Sequence, residues 1–200
     1  MTRPPRAAET EPEIGGILLA AGEGRRFGGP KQLARLNGQP LIEHALAAML
    51  AVPDIDPVVV VLGAHAERIR EEADLSGADI VLCPEWADGQ SASLRAGVAA
   101  LGEVEAAVIT LADQPFITPE VIAGVLDHRG RHLAVRATYD GRPGHPVLLE
   151  RRLLDRMGEL DGDMGARKLL VGPHVRPWEC GRLCDPIDID TPERLQEVQS

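Results

Sequence analysis

Cysteine is scarce in this 200-residue sequence. The three cysteines, Cys83, Cys180 and Cys184, are an odd number and lack the spacing of a disulfide framework, which favours a reducing compartment. Cys180 and Cys184 form a poor zinc pattern with His174, because they offer one pair of ligands and a distant histidine. We therefore expect packing roles for these thiols rather than a metal site.

Long apolar runs and a surplus of positive charge are also missing. No apolar run approaches the ~20 residues that cross a bilayer, and the first residues lack the apolar core of a secretion signal. The formal net charge is −10, from 21 Lys and Arg against 31 Asp and Glu, which argues against a nucleic-acid partner. We expect a cytoplasmic protein that binds neither membranes nor nucleic acids.

Residues 1–13 differ in composition from the rest of the chain. They are polar and contain Pro4, Pro5 and Pro12, so we expect a flexible N-terminal tail. Hydrophobic residues make up 44% of the sequence, which is enough for one full core. The sequence therefore predicts a single domain over residues 14–200.

Strands and helices are predicted to alternate along this domain. The first half reads as strands at 14–21, 57–62, 79–82 and 106–112, with helices at 40–50, 65–73 and 91–101, the last capped by Ser91. The second half reads as helices at 119–127, 150–158, 164–171 and from 192, with strands at 132–139, 145–149, 175–180 and 186–189. This order predicts an α/β fold with a doubly wound, mostly parallel, Rossmann-like sheet that binds ligands beyond the carboxyl ends of its strands.

A glycine-rich loop with three cations follows the first predicted strand, and it spans Gly22-Glu-Gly-Arg-Arg-Phe-Gly-Gly-Pro-Lys31. Its bare backbone can bend around a polyanion while N–H groups and cations neutralise the charge, so we infer a phosphate-bearing ligand. A P-loop is excluded because Pro30 stands where that loop needs lysine. A dinucleotide fingerprint is weakened because Phe27 stands where its third glycine belongs.

The longer pattern L-A-A-G-x-G-x-R-x-G-x-x-K resembles the signature loop of the nucleotidyltransferases. Transfer of a nucleotide needs a divalent ion on the triphosphate, and Mg²⁺ prefers one or two carboxylates with phosphates and water as its other ligands. Asp113 suits that role because it follows the fourth predicted strand. In an extended segment Asp188 and Asp190 face one side while Ile187 and Ile189 face the other, which makes one face wet or metal-bound.

Further candidates lie in glycine-containing segments. Gly89-Gln-Ser-Ala-Ser93 runs into a helix and offers hydroxyls, an amide and backbone donors to a base or ribose. Gly144 and His145, and the segment with Asp163 and Arg167, combine backbone freedom with an imidazole or a guanidinium that can hold an anionic acceptor.

Six motifs occur in one order along the chain: the glycine loop, G-Q-S-x-S-L, L-A-D-Q-P, G-x-x-G-H-P, G-D-x-G-A-R and D-I-D-T-P-E. From about residue 14 to the end, this set resembles the molybdenum cofactor cytidylyltransferases. The resemblance implies a sheet of the nucleotide-diphospho-sugar transferase type and transfer of CMP from CTP to the terminal phosphate of molybdopterin, with pyrophosphate released. It also implies a molybdenum hydroxylase as a partner. Leu-Ala-Ala-Gly22 and Gly89-Gln-Ser-Ala-Ser93 differ from the guanylyltransferase for the same cofactor, and both differences favour cytidine.

The resemblance also assigns roles to residues. It implies Mg²⁺ on Asp113 and Asp190, with Arg26, Lys31 and Asp113 as the catalytic set. The implied acceptor set is Gly144, His145, Asp163 and Arg167. The implied nucleotide-binding set is Leu19, Ala20, Ala21, Gly22, Gly24, Arg26, Lys31, Gly89, Gln90, Ser91 and Ser93. No covalent enzyme intermediate is needed, because a phosphate monoester is already a competent nucleophile.

Other functions remain open from the sequence. Within the same chemistry, the nucleotide could be GTP or the acceptor a sugar phosphate. A carrier that delivers a pterin cofactor without catalysis is a second class, although it has no need of two metal carboxylates. A nicotinamide-dependent oxidoreductase is a third class, disfavoured by the misplaced glycine and because the candidate ribose-binding acid, Glu43, lies within a predicted helix.

Overall fold

A seven-stranded sheet forms the centre of the molecule. The computed structural model describes residues 13–157 and 169–199. In chain order its elements are β1 (Ile14–Ala20), β2 (Arg35–Leu36), β3 (Gln39–Pro40), α1 (Leu41–Leu50), β4 (Ile55–Leu62), α2 (Ala66–Glu72), β5 (Asp79–Leu82), α3 (Gln90–Leu101), β6 (Ala106–Leu111), α4 (Pro119–Asp127), β7 (Ala134–Tyr139), β8 (Arg142–Glu150), α5 (Arg151–Leu154), β9 (Val175–Glu179) and α6 (Pro192–Gln199). Short 3₁₀ turns occur at Lys31–Leu33 and Trp86–Asp88.

The strand order is β5-β4-β1-β6-β8-β7-β9, and β2 with β3 forms a separate small hairpin. Only β8 runs antiparallel to its neighbours, β6 and β7, while the other pairs in the large sheet are parallel. The predicted doubly wound, mostly parallel sheet is therefore confirmed. Because β1 lies between β4 and β6, the loops that follow these strands meet at one edge of the sheet.

Both faces of the sheet are covered by helices, which explains why β1 is buried along its whole length. Side chains alternate along the strand, so that Leu18 packs with α1 and α4 on one face while Ile17 packs with α3 and α5 on the other. Two apolar layers result, one on each face of the sheet.

Several predicted boundaries are wrong. Residues 186–189 form no strand, and this extended segment instead joins the sheet edge through a hydrogen bond from the N–H of Ile189 to the carbonyl oxygen of Asp113 (2.9 Å). Helix α3 begins at Gln90 after Gly89, whose φ is 107°, so Ser91 lies in the first turn and is not its cap. Among the described residues, the helix predicted at 150–158 covers only Arg151–Leu154.

The hairpin of the second half is tighter than predicted. The turn between β7 and β8 consists of Asp140 and Gly141, which both have positive φ as a two-residue hairpin turn requires. The predicted strands at 132–139 and 145–149 imply a turn over residues 140–144, but β8 already begins at Arg142. The predicted tail, apart from residue 13, and most of the helix predicted at 164–171 lie outside the described residues. No helix within the described ranges is long and apolar enough to cross a membrane.

Candidate functional site

The glycine-rich loop closes on itself directly after β1. The N–H groups of Phe27 and Gly28 donate to the carbonyl oxygen of Gly24 at 2.9 and 3.0 Å. Gly24 has a φ of +70°, and a Cβ added there would overlap the carbonyl oxygen of Gly29. Glycine is therefore required at this position for two reasons, the left-handed backbone and the close approach of the chain.

Gln32 anchors the loop to the end of β1. Its side chain is buried, and Nε2 donates to the carbonyl oxygens of Ala20 and Gly22, both at 2.8 Å. These two bonds fix the chain where it leaves the strand, and Lys31 is carried next to Gln32 in the short 3₁₀ turn. The sequence alone predicts no role for Gln32, and its only signal there is that this polar residue directly follows Lys31 of the loop.

A charged cluster lies beside the loop and joins three distant parts of the chain. Lys31 Nζ donates to Asp113 Oδ2 at 2.5 Å and to Asp190 Oδ1 at 2.7 Å. Arg26 Nη2 donates to the other oxygen of Asp190 at 2.7 Å. Only 15% of the Lys31 side chain and 16% of the Asp113 side chain are exposed, so water screens their attraction weakly.

The ionisation of this cluster follows from its geometry. Burial alone would lower the pKa of Lys31, but the charges and hydrogen bonds of Asp113 and Asp190 together outweigh it and raise that pKa above its usual value. For Asp190 burial acts to raise the pKa, whereas Lys31 and Arg26 lower it, and the net shift is downward. Lys31 is therefore cationic and Asp190 anionic at neutral pH.

Asp188, two residues before Asp190 in the chain, has different surroundings. Burial, followed by repulsion from Asp113, raises the pKa of Asp188, although its oxygen accepts a 2.8 Å hydrogen bond from Gln114 Nε2. Ile189 between the two aspartates is fully buried, and Ile187 packs against the same small apolar cluster. The alternation expected from the sequence is thus present, even though the segment pairs with no strand.

A cavity of about 470 Å³ opens between the glycine loop and the start of α3. Nine of the predicted nucleotide-binding residues and Asp113 line it, and the nine are Leu19, Ala20, Ala21, Gly22, Gly24, Lys31, Gly89, Gln90 and Ser93. Ser91 does not line it, because this side chain is buried within the first turn of α3. Arg26 lies outside the lining and is largely exposed. Trp86 also lines the cavity and was not among the predicted residues.

Two further cavities continue the site toward β7 and β8. One of about 340 Å³ shares Leu19, Gln90 and Leu111 with the first cavity. The other, of about 750 Å³, shares Gln114 and Asp188 with the 340 Å³ cavity, as well as Pro143 and Gly144. The three cavities therefore adjoin one another at the carboxyl end of the sheet, and we call them together the groove.

The predicted acceptor residues are divided by the structure. Gly144 and His145 line the 340 Å³ cavity, whereas Asp163 and Arg167 lie outside the described residues. Burial, and then the nearby charge of Arg136, lower the pKa of His145 to about 4. The imidazole is therefore neutral at neutral pH and does not bring the positive charge to an anion that the sequence suggested for it.

Arg136 is a cation that the sequence analysis missed. It lies on β7, lines the 340 Å³ cavity and donates from Nε to the carbonyl oxygen of Gly144 at 3.3 Å. The available signal was its position in the apolar strand Ala134–Tyr139, where Val135 and Ala137 are buried on the opposite face. A half-buried arginine in such a strand indicates a ligand or an ion pair.

The carboxylates of the cluster fit a divalent cation. Within residues 13–157 and 169–199, no group of three or more His, Cys, Asp or Glu side chains is arranged to hold a metal. Asp113 and Asp190 nevertheless both contact one cationic nitrogen, so their oxygens are close enough to share a single ion. Mg²⁺ needs only one or two carboxylates when phosphates and water complete its shell, and this pair meets that need.

Comparison with known proteins places this site in a family. The model of the MobA-like NTP transferase domain matches residues 16–176. The chain belongs to that family. Its glycine loop, Asp113 and the cavity at α3 all fall inside the matched range, while Asp190 lies beyond it.

Relatives of known sequence carry more than one activity. The chain is 33% identical over 94% of its length to nicotine blue oxidoreductase of Paenarthrobacter nicotinovorans, and the match covers 97% of that protein. It is 44% identical over 71 residues to 2-C-methyl-D-erythritol 4-phosphate cytidylyltransferase of Thermobifida fusca. That second match covers 32% of this chain and 28% of the cytidylyltransferase.

A solved structure matches almost the whole chain. The crystal structure of Rv0371c from Mycobacterium tuberculosis H37Rv has a TM-score of 0.84 and 29% identity, and the match covers 95% of this chain and 99% of that one. A complex of Rv0371c with manganese matches with a TM-score of 0.79 and 28% identity over 94% of this chain and 98% of that one. The fold of this chain is therefore that of Rv0371c.

Proposed function

We propose that the protein is a cytidylyltransferase that moves CMP from CTP to the terminal phosphate of molybdopterin and releases pyrophosphate. The observation that carries the proposal is the contact of Lys31 with both Asp113 and Asp190 at the rim of the nucleotide-sized cavity. Cations and carboxylates in one cluster match the two needs of a metal-bound triphosphate, which are neutralised oxygens and a held ion.

The glycine loop and its cations bind the triphosphate in this proposal. The phosphates would lie along the loop that lines the cavity, and Lys31 and Arg26 would turn from their carboxylate partners toward the phosphate oxygens. Asp113 and Asp190 would hold Mg²⁺, which when bound neutralises charge on the triphosphate and on departing pyrophosphate. That a solved structure of Rv0371c is a complex with manganese agrees with the use of a divalent ion.

In this proposal the acceptor binds in the 340 and 750 Å³ cavities near β7 and β8. Arg136 supplies a positive charge near Gly144, and neutral His145 supplies one hydrogen bond to the acceptor. An oxygen of the acceptor's terminal phosphate attacks the α-phosphorus of CTP, a new P–O bond forms, and the bond to the β-phosphate oxygen breaks. Position and electrostatics supply most of the acceleration, because a phosphate monoester needs no activation by a base.

The choice of CTP is supported by the two loops that differ from the guanylyltransferase pattern, at Ala21 and at Gly89–Ser93. The partial match to the cytidylyltransferase of Thermobifida fusca agrees with it. The choice of molybdopterin is supported by the order of the six motifs in the sequence, and a molybdenum hydroxylase is then the proposed recipient of the product.

Pyrophosphate release tests the proposal. The purified protein with Mg²⁺ is given each of the four nucleoside triphosphates with and without molybdopterin. We expect release with CTP, and only when the pterin is present. Release with GTP, or with a sugar phosphate in place of the pterin, would replace the substrate while keeping the reaction class. Pterin binding without release from any nucleotide would support the carrier function instead.

A reductase is the second candidate, because the relative from Paenarthrobacter nicotinovorans covers nearly the whole chain and is an oxidoreductase. In that case the cavity at the glycine loop would bind a nicotinamide dinucleotide, and the acceptor cavities would bind a flat heterocycle. The test is oxidation of NADH or NADPH with nicotine blue as acceptor. Turnover in this assay together with no pyrophosphate release would reverse the order of the two candidates.

A further inference from the structure

Trp86 has no role in the proposed reaction, yet it lines the nucleotide cavity. It is the one aromatic residue of the described chain that does so, and it lies in the 3₁₀ turn that leads from β5 to α3. The indole is half-buried and packs against the apolar layer on the α3 face of the sheet. One ring therefore contributes both to the core and to the wall of the cavity.

The position of Trp86 is fixed by its neighbours. The backbone N–H of Trp86 donates to the carbonyl oxygen of Cys83 at 3.2 Å, and the backbone N–H of Gly89 donates to the carbonyl oxygen of Trp86 at 3.2 Å. Gly63, which follows β4, lies so close that an added Cβ would be 2.7 Å from the indole Cγ. The base of the indole thus lies directly against the backbone at the end of β4, with no side chain in between.

The two ends of the cavity differ in chemistry. Lys31 and Asp113 mark the phosphate end, near the carboxyl ends of β1 and β6. Trp86 marks the other end, near β4. It lies in the short turn that leads directly to Gly89 and Gln90, which line the same cavity. A nucleotide with its phosphates on the glycine loop can therefore place its base against the aromatic wall, away from the charged cluster.

We infer that Trp86 packs its indole against the nucleobase of the bound nucleotide and is a nucleotide-binding residue of the site. The inference rests on the proposed nucleotide site, but it does not depend on which acceptor is used. Base–aromatic stacking contributes roughly a tenfold gain in affinity or more and tolerates different bases, since every base has a π face. The amide of Gln90 then has the task of distinguishing one base from another.

Fluorescence offers a direct test, because the chain has only two tryptophans. Trp178 lies on β9 at the opposite edge of the sheet, where it packs on Gly124 and its ring centroid is 5.0 Å from that of His128. Trp178→Phe leaves Trp86 as the only reporter, and Trp86→Phe leaves Trp178. We expect CTP to change the emission of the first variant and not of the second, over the concentration range in which calorimetry detects CTP binding.

Binding of a base-free probe separates stacking from a structural role. Trp86→Leu is expected to weaken CTP about tenfold while leaving the affinity for inorganic tripolyphosphate unchanged, and Trp86→Phe is expected to stay close to the wild type for both. Equal weakening of CTP and tripolyphosphate would overturn the inference, because the ring would then act only on the fold of the site.

The outcomes separate this inference from the proposed function. Calorimetric binding of CTP with unchanged Trp86 emission overturns the inference and leaves the proposed function standing. Absence of binding for all four nucleoside triphosphates overturns both. Emission changes with CTP together with no pyrophosphate release under any condition support the inference and overturn the proposed reaction.

Discussion

The two ends of the groove are built in different ways. At the phosphate end the parts are held by short contacts, since Lys31, Asp113 and Asp190 form one cluster and Gln32 fixes the loop through two bonds. At the acceptor end the described residues line two further cavities of about 340 and 750 Å³, where Arg136 and the neutral imidazole of His145 are the named contacts. In the proposed function the phosphate end carries out the reaction, and the acceptor end selects the substrate.

The largest effect is expected from the phosphate end. Asp113→Asn removes one negative charge from the pair that would hold the ion, and turnover should fall on the order of 100-fold or more. Asp54→Asn is the matched control, because Asp54 is exposed and lies after α1. Pyrophosphate release and thermal melting are measured for both variants. Near-normal turnover of Asp113→Asn with an intact melting transition would contradict the role of this carboxylate.

A second change tests the backbone of the loop. Gly24→Ala forces a side chain into a left-handed conformation and against the carbonyl oxygen of Gly29, so the loop should lose its closed shape. We expect destabilisation of about 1–3 kcal/mol and a weaker affinity for CTP. Gly29→Ala is the control in the same loop, since an added Cβ there meets nothing within 4 Å. Urea unfolding measures the stability of the two variants, and calorimetry measures their affinity for CTP. Equal losses of stability and of affinity in both variants would show that the closed loop is not required.

The acceptor end is tested by Arg136→Gln. Loss of this cation should raise KM for the phosphorylated acceptor by roughly tenfold, as expected for one charge-assisted contact, and leave KM for CTP unchanged. Arg152→Gln is the control, because Arg152 is exposed on a different part of the surface. An equal rise in both KM values would mean that Arg136 supports the whole groove rather than the acceptor alone.

The smallest effect concerns His145. Its pKa is lowered to about 4 from 6.5 by burial and by Arg136, so between these values the unfolded chain binds a proton that the folded chain does not. This group therefore reduces the free energy of unfolding as the pH falls from 6.5 toward 4. His145→Asn should show a shallower loss than the wild type when urea midpoints are compared across that range. Identical slopes would indicate that the imidazole titrates normally in the fold.

The parallel half of the fold could be predicted because its signals are local. The buried apolar strand before the glycine loop and the alternation of strands and helices led to the doubly wound sheet, which is confirmed. Residues 186–189 were misread as a strand because Ile187 and Ile189 alternate with aspartates just as a strand would. Their partners are a small apolar cluster and one backbone oxygen of Asp113, and sequence periodicity does not reveal such contacts.

The candidate site, like the fold, could be predicted from the sequence only in part. Glycine and carboxylate motifs could be found from the sequence, and the structure brings Lys31, Asp113 and Asp190 together although they are up to 159 positions apart. Trp86 and Arg136 belong to none of the sequence motifs. Their positions in the walls of the cavities are visible only in the structure. The protonation state of His145 could not be predicted from the sequence either, because its pKa depends on burial and on the charge of Arg136 on a neighbouring strand.

Transfer of a label tests the central claim most directly. CTP that carries labelled phosphorus only at the α-position is incubated with the protein, Mg²⁺ and molybdopterin, and the products are separated. We predict that the label moves to the pterin product while unlabelled pyrophosphate is released, and that Asp113→Asn abolishes both. Label that stays entirely in CTP, in a protein that binds the pterin and oxidises NADH or NADPH with nicotine blue, would contradict the account.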